Sequence, residues 1–148
     1  MNNTNNETAG NETAEDGNIT ALIDTVEESG MLDTLMDEPL LMANSDQFVE
    51  WDSNETLYAF SNGDCDGGIL TFPASHPKWS YAKLDDDGFV SEVAEKKPIS
   101  KHATVGVYWW KKGSDYVKYA EQMIEKDIRT NGEFYVCPVF NEAIGDDK

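Results

Sequence analysis

The 148-residue chain, 39% hydrophobic and 11% aromatic, is long enough for one domain with one core. A formal net charge of −18 repels phosphate backbones and argues against nucleic-acid binding. No apolar run approaches bilayer length, and the first residues hold neither a basic nor an apolar signal region, so the expectation is a cytoplasmic protein without membrane contact.

Charge and core are both distributed unevenly. Residues 1–77 hold 16 of the 29 acids and none of the 11 bases, so residues 78–148 are close to neutral. All Trp, Tyr and Phe residues lie beyond residue 47, which places the core there. Residues 1–17 have no large apolar side chain after Met1, and their composition predicts a disordered acidic tail. Residues 18–36 carry Ile19, Leu22, Ile23 and Val26 at helical spacing, then Gly30, and predict a weak helical segment.

A partial domain is expected over 37–148. Leu40–Ala43 is a short apolar run that reads as a buried parallel strand, with polar residues after it. Ser53 is the expected cap of a helix over 54–60, and Gly67–Phe72 the next buried strand. Segments 81–84 and 89–93 flank Asp85-Asp86-Asp87-Gly88 and predict a hairpin. Thr104–Trp110 reads as another strand. Ser114 then caps an amphipathic helix with Val117, Ala120, Met123 and Ile124 on its apolar face. Residues 134–140 form a last apolar segment. Strands alternating with helices indicate an α/β fold with a mixed sheet.

Candidate chemistry is sparse. Cys65 and Cys137 lie far apart without ligand spacing, as in a reduced protein. Asp46 follows an apolar strand, where a carboxylate can hold Mg²⁺ or simply form a turn. Glu95-Lys96-Lys97-Pro98 sets a carboxylate beside two ammonium groups, suited to a sugar hydroxyl and a phosphate or to a solvated strand end.

In order along the chain, PLLMANSDQFVEWD (39–52), DGGILTF (66–72), HPKWSYAKL (76–84), VSEVAEKKPIS (90–100), ATVGVYWWKKGSD (103–115) and EFYVCPVFNEAI (133–144) resemble the sugar-1-phosphate nucleotidyltransferases. The glucose-1-phosphate thymidylyl- and uridylyltransferase-like enzymes of polysaccharide biosynthesis are among them. The resemblance implies a three-layer, mixed-sheet nucleotide-diphospho-sugar transferase fold, with a sugar 1-phosphate and a nucleoside triphosphate as substrates. It implies Asp46 as a catalytic and Mg²⁺-binding aspartate. Glu95 and Lys96 look like the pair that grips sugar hydroxyls and phosphate, and Lys97, an extra residue before Pro98, could take the role of Lys96. Gly106, Tyr108 and Glu133 match further substrate-binding positions, whereas Ser80 stands where many members have glycine.

Family members open with a Gly-rich loop ending in Arg that cradles the triphosphate. Residues 1–36 hold only Gly10, Gly17 and Gly30, isolated among acids. The family's second metal-binding aspartate normally follows the position of Asp147. The expectation is therefore a fold truncated at both ends and inactive alone, in a fragment or a repurposed copy. The alternative is a non-catalytic sugar-phosphate-binding remnant or a partner subunit of a complete homologue, and an uncovered apolar strand at Leu40–Met42 would favour self-association.

Deleting residues 1–17 is expected to leave Tm unchanged in thermal unfolding followed by circular dichroism. A fall of several degrees would place the tail in the packed domain.

Overall fold

A computed structural model describes residues 38–148, so the segments 1–17 and 18–36 lie outside the described residues. Along the chain come strand β1 (Leu40–Ala43), helix α1 (Ser53–Asn62), and strands β2 (Gly67–Pro73), β3 (Tyr81–Leu84), β4 (Val90–Ala94) and β5 (His102–Trp110). Helices α2 (Gly113–Glu125) and α3 (Val139–Gly145) follow. The strands form one sheet, in an α/β fold of the expected class.

Strand β5 reads HATVGVYWW, a β-branched and aromatic run with its last five residues all buried, as a central strand requires. Along one edge it pairs with β2 from Gly67↔Trp110 to Pro73↔His102. Its other edge is shared. Strand β1 covers the end from Val107 to Trp110, whereas β3 covers His102 and Ala103 at the start. Strand β4 then pairs with β3 alone among the strands.

Every ladder among the described residues is antiparallel. The expectation of a buried parallel strand at Leu40–Ala43 is thereby overturned. A four-residue apolar run carries no information on direction, which is set by the strand it meets, here β5. Nor is it fully covered, since Leu41 is 42% exposed. Strand β2 is likewise only partly buried.

Successive strand side chains point to opposite faces, and Trp109 and Trp110 show which layer covers each. Trp109 stacks on Phe60 of α1, with ring centroids 5.8 Å apart. Trp110 stacks on Phe140 of α3 at 4.3 Å and on Tyr119 of α2 at 6.1 Å. Helix α1 thus lies on one face and α2 with α3 on the other, giving three layers. The larger core is on the α2–α3 side, where Tyr116, Tyr119, Ala120 and Met123 of α2 are buried.

The helix ends differ in detail from the sequence expectations. Asp52, not Ser53, caps α1, its side chain accepting from the Glu55 amide at 2.9 Å. Helix α2 begins at Gly113 behind Lys112, so Ser114 sits inside the first turn instead of capping it. The apolar stretch 134–140 is irregular until Val139, where α3 starts. The hairpin formed as expected: the Asp85 carboxylate accepts from the amides of Asp87 and Phe89, and Gly88 takes φ +91°. Asn141 of α3 closes the free side of β4, accepting from the Val93 amide and donating to the Val93 carbonyl, both at 2.8 Å.

Between Ile69↔Tyr108 and Thr71↔Thr104, β2 advances by two residues and β5 by four, so β5 bulges around Val105–Val107. Gly106 at the bulge has φ +82°, and a Cβ there would stand 2.3 Å from the Asn44 side-chain amide. Gly106→Ala is therefore expected to cost about 1–3 kcal/mol in urea unfolding. Gly88→Ala also has a positive φ but meets nothing within 4 Å, so it should cost less. Equal losses would show that contact with Asn44 carries no weight.

Candidate functional site

Strands β1 and β3 run in the same direction along one edge of β5, and between them that edge is interrupted. Two loops fill the interruption. From the end of β1, the Asn44 amide donates to the Gly106 carbonyl at 3.0 Å, and the Gln47 side-chain amide donates to the Val105 carbonyl. Asp46, between them in sequence, is exposed. Ahead of β3, the Ser80 carbonyl accepts from the Thr104 amide at 2.8 Å. The bulge leaves the Gly106 and Val105 carbonyls to the Asn44–Gln47 loop, whereas the Ser80 loop takes up the Thr104 amide.

Ser80 also leads to Glu95. Because Ala94 pairs with Tyr81, the residues just beyond that pair come together, and the Ser80 hydroxyl donates to the Glu95 carboxylate. Glu95 is half-buried, and burial raises its carboxyl above the usual glutamate range against the opposing pull of Ser80 and Lys96. Below lies a buried polar group. The Tyr108 and Thr104 hydroxyls share a hydrogen bond of 3.0 Å, and burial pushes the Tyr108 phenol far up. Burial, with the Glu95 charge second, pushes the Cys137 thiol up to about 12, while the Tyr108 and Ser80 hydroxyls partly offset it. A thiol held protonated in this way is a poor nucleophile.

Lys96 occupies the left-handed backbone region with φ +53°, uncommon for a residue with a long side chain. Its ammonium donates to the Tyr135 hydroxyl at 2.5 Å and lies 4.5 Å from that ring's centroid. The Tyr135 hydroxyl in turn donates to the Glu133 carboxylate at 2.5 Å. The bond to Tyr135 is the main cause that raises the Lys96 ammonium above the ordinary lysine range.

Four of the residues singled out by sequence, Glu95, Lys96, Tyr108 and Glu133, thus meet on one bank of the interruption. Asp46 and Gly106 belong to the other bank, where the close fit to Asn44 accounts for the glycine. Lys97 is exposed beyond Lys96. Ser80 entered the sequence reading only as a departure from the family's glycine, and Tyr135, Thr104 and Cys137 had no role there. The spacing of Tyr135, two residues after Glu133, was a weak hint of a shared side, but the docking of the following helix on β4 through Asn141 and Val93, which brings this segment near Lys96, is not visible locally.

A cleft of about 240 Å³ adjoins the Asp46 bank, lined in part by Asn44, Gln47, Phe48, Trp51 and Val107. Among the described residues, no three His, Cys, Asp or Glu side chains cluster as a metal site. The hard, exposed carboxylate of Asp46 is a suitable donor type for Mg²⁺, which commonly takes one or two carboxylates and completes its shell with water and phosphate oxygen. No described helix is long and apolar enough to cross a membrane.

No protein-family model and no curated protein matches the chain. Solved structures do. A nucleoside-diphosphate-sugar pyrophosphorylase from Vibrio cholerae RC9 is similar at 24% identity with a TM-score of 0.62, over 87% of this chain and 52% of that one. A Bacillus anthracis protein assigned as a glucose-1-phosphate thymidylyltransferase, solved with sucrose, is similar at 17% identity and a TM-score of 0.63, over 89% of this chain and 50% of that one. The chain therefore has the fold of these proteins and spans about half their length.

The raised carboxyl of Glu95 makes folding stability depend on pH. Above the ordinary glutamate value the unfolded chain releases this proton while the folded chain still holds it. The stability of the protonated form is thus lost as pH rises through the raised value. Glu95→Gln cannot ionise yet still accepts from Ser80. Its stability relative to wild type should improve as pH rises from about 4 to about 7, measured by urea unfolding at each pH. A difference that stays constant with pH would show the carboxyl to be unshifted.

Proposed function

We propose that this chain provides the sugar-phosphate side of a sugar-1-phosphate nucleotidyltransferase. The observation that carries the reading is the adjacency of a half-buried carboxylate, Glu95, and an exposed ammonium, Lys96, at an interruption of the sheet edge whose other bank is the loop bearing Asp46. The fold shared with sugar-nucleotide pyrophosphorylases supports it.

In this reading Glu95 accepts hydrogen bonds from sugar hydroxyls, a role for which partial burial strengthens the interaction. Lys96 or the neighbouring Lys97 meets the anomeric phosphate. Buried Tyr108 forms the floor, and Gly106 lets the Asn44 loop approach closely enough to carry Asp46 to the phosphates. A phosphate oxygen of the sugar 1-phosphate attacks the α-phosphorus of a nucleoside triphosphate, and pyrophosphate leaves with the bonding electrons. The protein's share of such a reaction is orientation and charge stabilisation. Asp46 would hold Mg²⁺, which when bound neutralises charge on the phosphates.

Residues 1–36 contain no Gly-rich loop ending in Arg, and their acids are the wrong charge to cradle a triphosphate. This favours binding without turnover for the chain by itself, either as a sugar-phosphate-binding module or beside a complete homologue.

Titration calorimetry with glucose 1-phosphate tests the reading. Wild type is expected to bind, and Lys96→Met or Glu95→Gln to weaken binding by about tenfold, the scale of one charge-assisted hydrogen bond. Binding indifferent to both substitutions would overturn the assignment of the site. With a nucleoside triphosphate and Mg²⁺ added, no pyrophosphate release is expected. Turnover abolished by Asp46→Ala would replace the binding-only reading with a catalytic one.

A further inference from the structure

We propose that Tyr135 is a positioning residue for Lys96: through its hydroxyl and its ring it holds the ammonium in place to meet a phosphate, with Glu133 orienting the hydroxyl. This rests on the reading of Glu95 and Lys96 as a sugar-phosphate grip.

The geometry has three parts. Lys96 is placed by a left-handed backbone at φ +53°, a conformation that is unfavourable for a residue with a Cβ and persists where neighbours enforce it. Its ammonium has two contacts with one residue, a 2.5 Å bond to the Tyr135 hydroxyl and a position 4.5 Å from the ring centroid. The hydroxyl can accept from Lys96 because its own proton goes to Glu133 at 2.5 Å. An ammonium has three donors, and one bond to Tyr135 leaves two for a ligand. A lysine side chain free in solvent would lose rotamer entropy on binding an anion, and tethering its head removes part of that cost beforehand.

The arrangement also resolves a problem of sign. In a chain with net charge −18, an isolated surface lysine beside Glu95 and Glu133 could pair directly with a carboxylate and lose its attraction for an anion. Tyr135 stands between Lys96 and Glu133, so the acid acts on the ammonium through a hydroxyl without occupying it. Glu95, Glu133 and Tyr135 are the titratable groups that act on this ammonium.

The test uses the full chain with Tyr135→Phe, which keeps the ring and removes the hydroxyl, and Tyr135→Leu, which removes both. Glucose 1-phosphate affinity is measured by calorimetry, and the Lys96 titration by carbon NMR of labelled lysine, the signal identified by its loss in Lys96→Met. Tyr135→Phe is expected to weaken binding about three- to tenfold and to lower the Lys96 titration midpoint. Tyr135→Leu should do more of both. By linkage a small fall in Tm should accompany the lowered midpoint in Tyr135→Phe, whereas a merely structural contact would move Tm and leave the titration alone. Unaltered affinity in both variants, or weakened affinity with an unmoved Lys96 titration, would overturn the proposal. Absence of wild-type binding would overturn the parent reading of the site and the phosphate role of Tyr135 with it.

Discussion

Two glycines opposite two tryptophans hold this sheet in register. Gly67 pairs with Trp110 and Gly68 with Trp109, and each glycine leaves the space an aromatic ring from a flanking layer occupies. A Cβ on Gly67 would come within 2.9 Å of Phe140, and one on Gly68 within 2.4 Å of Phe60. Because side chains alternate across a strand, a slip of one residue would exchange the faces of both tryptophans and bring the wrong ring onto each glycine. The three layers follow from that single registration. So does the position of the bulge in β5, which begins just beyond the last regular pair, Ile69↔Tyr108.

The bulge connects packing to chemistry. It turns the Val105 and Gly106 carbonyls toward the Asn44–Gln47 loop and leaves a gap between β1 and β3 that polar residues fill. One bank of the gap carries a carboxylate in water, Asp46. The other carries a carboxylate pressed toward the protein interior, Glu95, over the Tyr108–Thr104 hydroxyl pair and the Cys137 thiol. Two groups of the same chemical type thus sit in unlike environments, one suited to a hydrated cation and the other to hydroxyl groups of a ligand.

The segment bearing Glu133 and Tyr135 has no regular structure of its own, yet it is tied at both ends. Helices α2 and α3 pack together on either side of it in sequence, and Lys126 reaches the buried Glu142 carboxylate at 2.5 Å. Within the segment, Arg129 lies 3.8 Å over the Phe134 ring and donates to the Gly132 carbonyl at 3.1 Å. Asp127, Asn131 and Gly132 supply the positive φ angles of its turns. Asn141 binds α3 to the edge of β4, so two hydrogen bonds join the strand that leads into Glu95 to the helix that follows Tyr135.

Local patterns in the sequence were sufficient for most of the elements, although not for α3, which begins inside the apolar stretch 134–140. The hairpin at Asp85–Gly88 was legible because its turn chemistry is confined to five residues. Strand β5 and helix α2 were legible because their apolar periodicities are long. The Glu95-Lys96 pair and Asp46 stood out through residue type and through the order of motifs around them. Direction and partnership were not legible. Leu40–Ala43 is equally apolar in a parallel or an antiparallel ladder, and only its meeting with Trp110–Val107 decided the matter. Likewise, Tyr135 lies 39 residues from Lys96, and no local rule places a hydroxyl beside an ammonium across that distance. Short-range geometry was determined by the sequence because backbone sterics and side-chain periodicity act over a few residues. The environment of each charged group was decided by tertiary structure, because burial and hydrogen bonding depend on which distant strands come together.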